Sequence, residues 1–380
     1  MTFPLHTRPS VQVDGKNEPR SVVLYQGLTV IIGPNGSGKT QLLRGLKTAL
    51  LPHTANKHVR YLSAGRAYYL EQFRSDFDGH RNNEPRYEQA TYGSVDDSKR
   101  RHKYETLQGD FHTLATRPDI LVKVRERLRK LFDRDLIIEW SAGNLKIAFL
   151  KTNGKGSEYS SAREASGLLH LVGLLSAIYD DEVGALLIDE PEVSLHPQLQ
   201  AFLLKELLSV AGLPTTTTNQ KLIIVATHST EFIRVDSPEQ LPNLVLCYES
   251  GQQPIQVSPD AAELKNRKLL GLLARMGQEH KLCFFSKTPL LIEGPSDAII
   301  CNGLSTHLDI ALEAGGAQLL PVIGKGQFPI VAKLFRMLGK EPMVLADADG
   351  LADGLDLAND FLVGEDIDAI VAKMGFSHWS

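Results

Sequence analysis

The sequence predicts an α/β protein of two units, and three observations carry that expectation. An apolar run, Leu28 to Ile32, leads into the glycine-rich Gly33-Pro34-Asn35-Gly36-Ser37-Gly38-Lys39-Thr40, and a helical stretch, Gln41 to Leu50, follows it. A second apolar run, Ala185 to Ile188, ends in the paired carboxylates Asp189 and Glu190. From about residue 289 short apolar runs again alternate with helical segments, a pattern that argues for a parallel sheet. With 380 residues, 42% hydrophobic and 23% charged, the chain is long enough for more than one core and has a globular composition.

Taken in order, Ser10 to Val13 and Ser21 to Tyr25 read as short strands ahead of the glycine-rich loop, and Val59 to Leu62 as a strand beyond its helix. Between about 70 and 115 apolar periodicity fades. Glu71, Arg74, Asp76, Asp78, Arg81, Asn82 and Asn83 precede the run Lys99-Arg100-Arg101-His102-Lys103, so this stretch reads as a surface insertion. Pro118 to Leu131 is amphipathic, with Ile120, Val124, Leu128 and Leu131 apolar and Lys123, Arg125, Arg127, Arg129 and Lys130 charged. Leu136 to Trp140 and Leu145 to Leu150, joined by Ser141-Ala142-Gly143-Asn144, form a hairpin signal.

Glu164 to Tyr179 reads as a helix feeding the strand Ala185 to Ile188, and Leu222 to Ala226 as a further strand. Pro254 to Pro259 closes the first unit, and Ala261 to Met276 gives a connecting helix. The second unit shows strand Leu290 to Ile292, a helix from Ser296, strand Leu319 to Val322, helix Pro329 to Leu338, strand Met343 to Leu345 and a helix around Ile367 to Met374. The expected division is 1–257 with an insertion at about 67–135, a connecting helix within 258–284, and a small α/β unit over 285–380.

The net charge of −4 gives no global attraction to nucleic acid, so such contact would have to come from basic patches or metal ions. Lys99 to Lys103 and Lys123 to Lys130 are two such patches, and the interleaved Asp96, Asp97, Glu105 and Glu126 fit a solvated face as well. Cys247, Cys283 and Cys301 lack C-x-x-C spacing and read as buried thiols of a reducing cytoplasm. Met1 to Gly15 has no apolar signal region and no run reaches membrane-spanning length, so a cytoplasmic chain without a membrane partner is expected.

Gly33 to Thr40 fills G-x-x-x-x-G-K-[ST] between a strand and a helix, the setting that makes the pattern a phosphate cradle. The loop Gly33-Pro34-Asn35-Gly36-Ser37-Gly38 would wrap the phosphates of ATP, its glycines letting successive backbone N–H groups converge on them, and Lys39 would reach the β/γ-phosphates. Thr40 and Asp189 would hold Mg²⁺, and Glu190 would orient or deprotonate the attacking water. Downstream, Glu293 follows the apolar Leu290 to Ile292, Asp297 lies close behind, and Asp347 and Asp349 follow Met343 to Leu345. These carboxylates have no local lysine or arginine to neutralise them, and oxygen-only ligands suit Mg²⁺ or Mn²⁺. Two such ions can stabilise the attacking and leaving oxygens of a phosphodiester.

Residues 21–240 resemble an ABC-type ATPase head of the kind shared by SMC-like, RecF-like and OLD (overcoming lysogenization defect) proteins. Ser194-Leu195-His196 is similar to the dimer-contact loop that follows the Walker B carboxylates, and Thr227-His228-Ser229 to the switch-histidine loop, which implies that His228 senses the γ-phosphate. Ser161-Ala162-Arg163-Glu164-Ala165-Ser166 stands in place of the family's Ser-Gly-Gly-Glu/Gln with both glycines missing. The resemblance implies that Ser161, at a helix start, meets the γ-phosphate held by an opposite subunit, and that hydrolysis is slow. Tyr61-Leu62-Ser63-Ala64-Gly65-Arg66 resembles the segment before the Q-loop of OLD-like ATPases, with Gln72 as the Q-loop candidate.

The order of Glu293, Asp297, Asp347 and Asp349 resembles the Toprim domain of topoisomerases, primases and OLD nucleases, and Val322-Ile323-Gly324-Lys325-Gly326-Gln327-Phe328 resembles the glycine-rich turn between its motifs. This implies Glu293 as metal ligand or general base, Asp347 and Asp349 as metal ligands, and Asp297 in support. OLD nucleases usually continue through an inserted helical region, so a minimal Toprim fold is expected, with Glu365, Asp366, Asp368 and Lys373 as its late charged residues. The resemblance therefore implies an ABC-type P-loop ATPase head with a helical and charged insertion, then a small Toprim-like domain. It further implies an ATP-gated, metal-dependent DNA endonuclease of prokaryotic antiviral defence, working as a homodimer through its heads or as a higher oligomer. The alternative is an ATPase sensor or scaffold whose Toprim-like module assembles with a separate effector nuclease.

Overall fold

A computed structural model describes residues 2–75, 86–153, 156–322 and 324–347 of the chain. Two compact units divide it, residues 1–234 with 243–256 and residues 235–242 with 257–380. Asp76, Asp78, Arg81, Asn82, Asn83, Ile323, Asp349, Glu365, Asp366, Asp368, Lys373 and the expected helix around Ile367 to Met374 lie outside the described residues.

In the first unit, β1 (Leu5–Thr7), β2 (Ser10–Val13), β3 (Lys16–Pro19) and β4 (Val22–Leu24) make two antiparallel ladders, β1 with β4 and β2 with β3. β5 (Leu28–Ile32), buried at every residue, enters the glycine-rich loop and α1 (Lys39–Ala49) leaves it. Next come β6 (His58–Leu62), α2 (Glu71–Arg74), α3 (Leu107–Thr116) and α4 (Pro118–Phe132). The hairpin of β7 (Arg134–Ser141) and β8 (Asn144–Lys151) carries β9 (Tyr159–Ser160) on its edge. α5 (Ser166–Tyr179), β10 (Val183–Asp189), α6 (Pro197–Val210), β11 (Leu222–Ala226) and β12 (Leu244–Leu246) complete the unit.

Five strands form its parallel sheet in the order β12-β5-β11-β10-β6. β5, β10 and β11 are apolar on both faces because helices cover both sides, as a parallel sheet requires. Since β11 separates β5 from β10, the segment after β11 leaves the sheet between the glycine-rich loop and the Asp189–Glu190 carboxylates. Three chemically distinct loops are thereby delivered to one carboxyl edge.

Two expectations change here. The charged stretch is not wholly superficial: α3 buries Leu107, Phe111 and Leu114 completely or nearly so, and the basic run forms a 3-10 turn over Val95–Lys103. The single connecting helix over Ala261 to Met276 is broken. A 3-10 turn covers Ala262–Lys265, extended Asn266 caps α7 (Arg267–Leu273) by accepting the Lys268 N–H at 2.8 Å, and α8 (Gln278–Leu282) is separate.

The second unit holds β13 (Thr288–Ile292), α9 (Pro295–His307), β14 (Ala317–Pro321), α10 (Phe328–Met337) and β15 (Met343–Leu345). Its strands are parallel in the order β14-β13-β15, and α10 supplies Phe328, Ile330, Val331, Leu334 and Phe335 to the core.

Candidate functional site

Close approach of the backbone explains the first loop glycine. Gly33 has φ 154°, and a Cβ there would stand 2.0 Å from the Cys247 carbonyl oxygen, so no side chain fits. Lys39 folds back over the loop, its Nζ donating to the carbonyls of Gly33 at 3.0 Å and Pro34 at 2.9 Å. Burial pushes the Lys39 ammonium down, against the raising influence of Cys247, Glu190 and Asp189. Thr40 Oγ1 donates to Asp189 Oδ2 at 3.0 Å, and the Tyr61 hydroxyl donates to the same oxygen at 3.2 Å. Burial, followed by the Asp189 charge, raises the Tyr61 phenol. A hydroxyl beside a carboxylate at the start of α1 is an oxygen donor set that fits a hard divalent cation.

Glu190 leaves the sheet in the left-handed region with φ 47°, and its N–H donates to Ala226 of β11 at 2.8 Å. Its Oε1 lies 4.0 Å from His228 Nε2, so the structure brings these two expected residues together. Burial and the Lys39 charge lower the His228 imidazole, with Glu190 and Asp189 opposing. Glu192, to which sequence reasoning gave no role, accepts the His228 N–H at 2.6 Å and the Thr227 hydroxyl at 2.7 Å. Burial raises its carboxyl. Ser229 Oγ donates to Gln200 Oε1 at 2.5 Å, and Gln200 Nε2 to the Leu195 carbonyl at 2.8 Å. The Thr227-His228-Ser229 loop is therefore tied to the Ser194-Leu195-His196 loop through buried polar contacts.

The signature segment departs from expectation. Ser161 is fully buried, its hydroxyl 2.8 Å from that of Tyr92, and it opens only a short 3-10 turn over Ser161–Arg163, not the α-helix. Extended backbone at Glu164 and Ala165 delays the helix to Ser166. Arg74 binds this whole turn, donating to the Ala162 carbonyl at 2.9 Å, the Glu164 carbonyl at 2.7 Å and Ser166 Oγ at 2.7 Å. Gln72 is exposed on α2, the same short helix that carries Arg74. Arg163 pairs with Glu88 at 2.9 Å.

Several charges of the basic patches are already answered. Lys99 pairs with Asp96, Arg100 with Asp97 and Arg101 with Glu182, while Arg125 and Arg129 both reach Asp135 at 2.6 Å and Arg127 reaches Glu206. His58, His102 and Glu182 are the one group of at least three metal-type side chains within 4.8 Å among the described residues, and Arg101 and Arg117 already engage Glu182. Cys247 and Cys283 are buried, with thiols pushed up to about 12 by burial, whereas Cys301 is half-buried.

In the second unit Ile292 of β13 is in register with Leu345 of β15, so Glu293 continues beside Ala346, one residue before Asp347. Glu293 Oε2 is buried without a hydrogen-bond partner among the described residues. An orphaned buried carboxylate oxygen at a sheet edge fits a cation ligand. Asp297 acts as a cap, its Oδ2 accepting the Gly294 N–H at 3.0 Å at the start of α9. Asp349 lies outside the described residues. No helix among the described residues is long and apolar enough to cross a membrane.

Two families match the chain. Residues 56–234 match the family described as "AAA domain, putative AbiEii toxin, Type IV TA system", and residues 284–349 match "Overcoming lysogenization defect protein-like, TOPRIM domain". The chain is 27% identical over 186 residues to "OLD nuclease" of Thermus scotoductus, covering 47% of this chain and 34% of that protein. It is 26% identical over 191 residues to "Endonuclease GajA" of Bacillus cereus, covering 47% of this chain and 29% of that protein. The chain thus spans about a third of the length of these curated relatives. Among solved structures, "SmcHead bound to the C-winged helix domain of ScpA" aligns at TM-score 0.39 and 13% identity over 67% of this chain and 99% of that one. Stu0660 of Streptococcus thermophilus aligns at TM-score 0.31 and 12% identity over 80% of this chain and 94% of that one.

Proposed function

The chain joins an AAA-type ATPase domain to an OLD-like Toprim domain, and from that premise we propose an ATP-regulated, metal-dependent DNA endonuclease. The observation that carries the nucleotide half is a convergence: Thr40 and Asp189, 149 residues apart, meet at 3.0 Å, with Glu190 and His228 beside them. Gly33 to Thr40 hold the phosphates of ATP, Lys39 exchanges its loop carbonyls for the β/γ-phosphates, and Thr40 with Asp189 would hold Mg²⁺. A divalent ion held by these two residues would supply charge neutralisation at the phosphate oxygens. Glu190 orients or deprotonates the water, and His228 senses the γ-phosphate. A buried Ser161 and a signature turn without glycines support slow hydrolysis.

Glu293 and Asp347, with Asp349 by sequence, would hold Mg²⁺ or Mn²⁺ for phosphodiester hydrolysis, and Asp297 supports them by fixing the Gly294 turn. The expected setting is a cytoplasmic homodimer through the ATPase heads, in prokaryotic antiviral defence. The relatives named as nucleases support the activity. A second reading, an ATPase scaffold for a separate effector nuclease, draws on the engagement of Asp297 as a helix cap.

One assay separates the two. Supercoiled plasmid with Mg²⁺ or Mn²⁺ is nicked under the first reading, and Glu293→Ala or Asp347→Ala abolishes the nicking. Inactivity across metals and nucleotide states leaves the scaffold. Glu190→Gln retains ATP without turning it over under either reading.

A further inference from the structure

We infer that Arg66 is a positioning residue of the ATPase centre: its guanidinium grips the backbone on both sides of the Glu190 α-carbon and so sets where the Glu190 carboxylate points. The inference rests on the ATPase reading above. Arg66 is fully buried. Its Nη1 donates to the carbonyls of Ser63 at 2.6 Å and Asp189 at 3.3 Å, and its Nη2 donates to the carbonyl of Glu190 at 3.0 Å.

Glu190 needs such a grip, because φ 47° is a conformation that a residue with a long side chain adopts only when its surroundings impose it. The restraint comes from two directions. The Glu190 N–H is held by Ala226 of β11, and the carbonyls of residues 189 and 190 are held by Arg66 from the segment after β6. With its backbone fixed, the Glu190 side chain remains 41% exposed and 4.0 Å from His228 Nε2. It is the backbone that is tied, while the carboxylate stays available.

The residue type matters. A planar fork with several donors spans successive carbonyls, whereas an ammonium is a point charge that cannot occupy all these positions at once. Asp110, whose charge also acts on Arg66, pairs with Arg60 at 2.8 Å, and the terminal Nη1 and Nη2 donors of Arg66 go to backbone carbonyls. The charges of Asp110, Glu192, Asp189 and Glu190 all act on the buried guanidinium.

The test is steady-state ATP hydrolysis and calorimetric ATPγS binding on the full chain carrying Arg66→Lys, Arg66→Gln, Glu190→Gln, or Arg66→Lys with Glu190→Gln. Arg66→Lys is expected to lower kcat at least about tenfold while KM and the ATPγS Kd stay within about threefold, the mark of an effect confined to the transition state. The double variant is expected to be no slower than Glu190→Gln alone, since both act through one carboxylate. An unchanged kcat in Arg66→Lys overturns the inference. So does loss of ATPγS binding or unfolding in both Arg66 variants, which would assign the residue to architecture alone. If Glu190→Gln leaves turnover at the wild-type level, the ATPase reading itself fails, a result distinct from failure of Arg66→Lys alone.

Discussion

Thr40 and Tyr61 converge on one oxygen of Asp189, the threonine hydroxyl at 3.0 Å and the phenol at 3.2 Å. Both donors hold the carboxylate, yet their roles differ because Thr40 stands in the first turn of α1, where the glycine-rich loop ends, and Tyr61 is buried in the sheet. Thr40→Ala should weaken Mg²⁺-dependent ATP binding about tenfold through loss of an oxygen ligand. Tyr61→Phe should cost about 1 kcal/mol of stability with affinity nearly unchanged. Calorimetric titration and thermal unfolding check the pair, and wild-type affinity in Thr40→Ala would remove Thr40 from the metal shell.

The loop glycines make a sharper contrast. A Cβ at Gly33 meets the Cys247 carbonyl oxygen at 2.0 Å, whereas one at Gly36, with φ 78°, meets nothing within 4 Å. Gly36→Ala therefore costs only its backbone strain, about 1 kcal/mol, while Gly33→Ala must also displace the Cys247 backbone just beyond β12 and should cost about 3 kcal/mol or more. Equal melting temperatures for the two variants would contradict this loop geometry.

Such contrasts show what local sequence encodes. The loop around Lys39 and Thr40 could be read because loop, strand and helix are contiguous, carboxylates at strand ends drew attention to Glu190 and Glu293, and the likeness of Thr227-His228-Ser229 to a switch-histidine loop drew it to His228. Arg66, Arg74 and Glu192 were not, since each acts through contacts to segments distant in sequence, and an arginine carries no local mark that its donors will go to backbone carbonyls. Counting back from Asp189 reached Ser161, but extended residues at 164 and 165 shift the helix to Ser166. Charge masked the buried face of α3, and Asn266 broke a helix whose apolar spacing runs on through it. The two family matches fall on the segments whose order and motifs the sequence displays, and the backbone details arise only from tertiary packing.

His170 on α5 gives a pH-dependent prediction. It is buried, and burial with the nearby Arg66 charge pushes its pKa down to about 4. As pH falls below the unfolded value of about 6.5, the unfolded chain takes up the proton first, so this contribution to stability is present above that pH and is lost on the way down to about 4. The loss should approach roughly 2 kcal/mol by pH 5. His170→Gln, which cannot titrate, should show a correspondingly shallower fall in urea-unfolding free energy between pH 7 and 5. Parallel curves for the two proteins would refute a neutral buried imidazole.

The basic face of α4 tests charge against architecture. Arg125 and Arg129 both donate to Asp135 at 2.6 Å, and the arginines hold its carboxyl well below the ordinary range. A depressed carboxyl stabilises the fold above its unfolded pKa of about 4 and loses that contribution as the pH drops further. Because the arginines are partly exposed, solvent screening limits the effect, and Asp135→Asn should cost about 1 to 2 kcal/mol at pH 7. Arg125→Ala with Arg129→Ala should likewise lower stability, while duplex-DNA affinity by fluorescence anisotropy at fixed salt stays within about twofold, since Asp135 offsets one of the two charges and holds both guanidinium groups, which leaves few counterions to release. A tenfold loss of DNA affinity with unchanged stability would instead make this face a phosphate-binding surface, with Asp135 serving only to orient the two guanidinium groups toward the duplex.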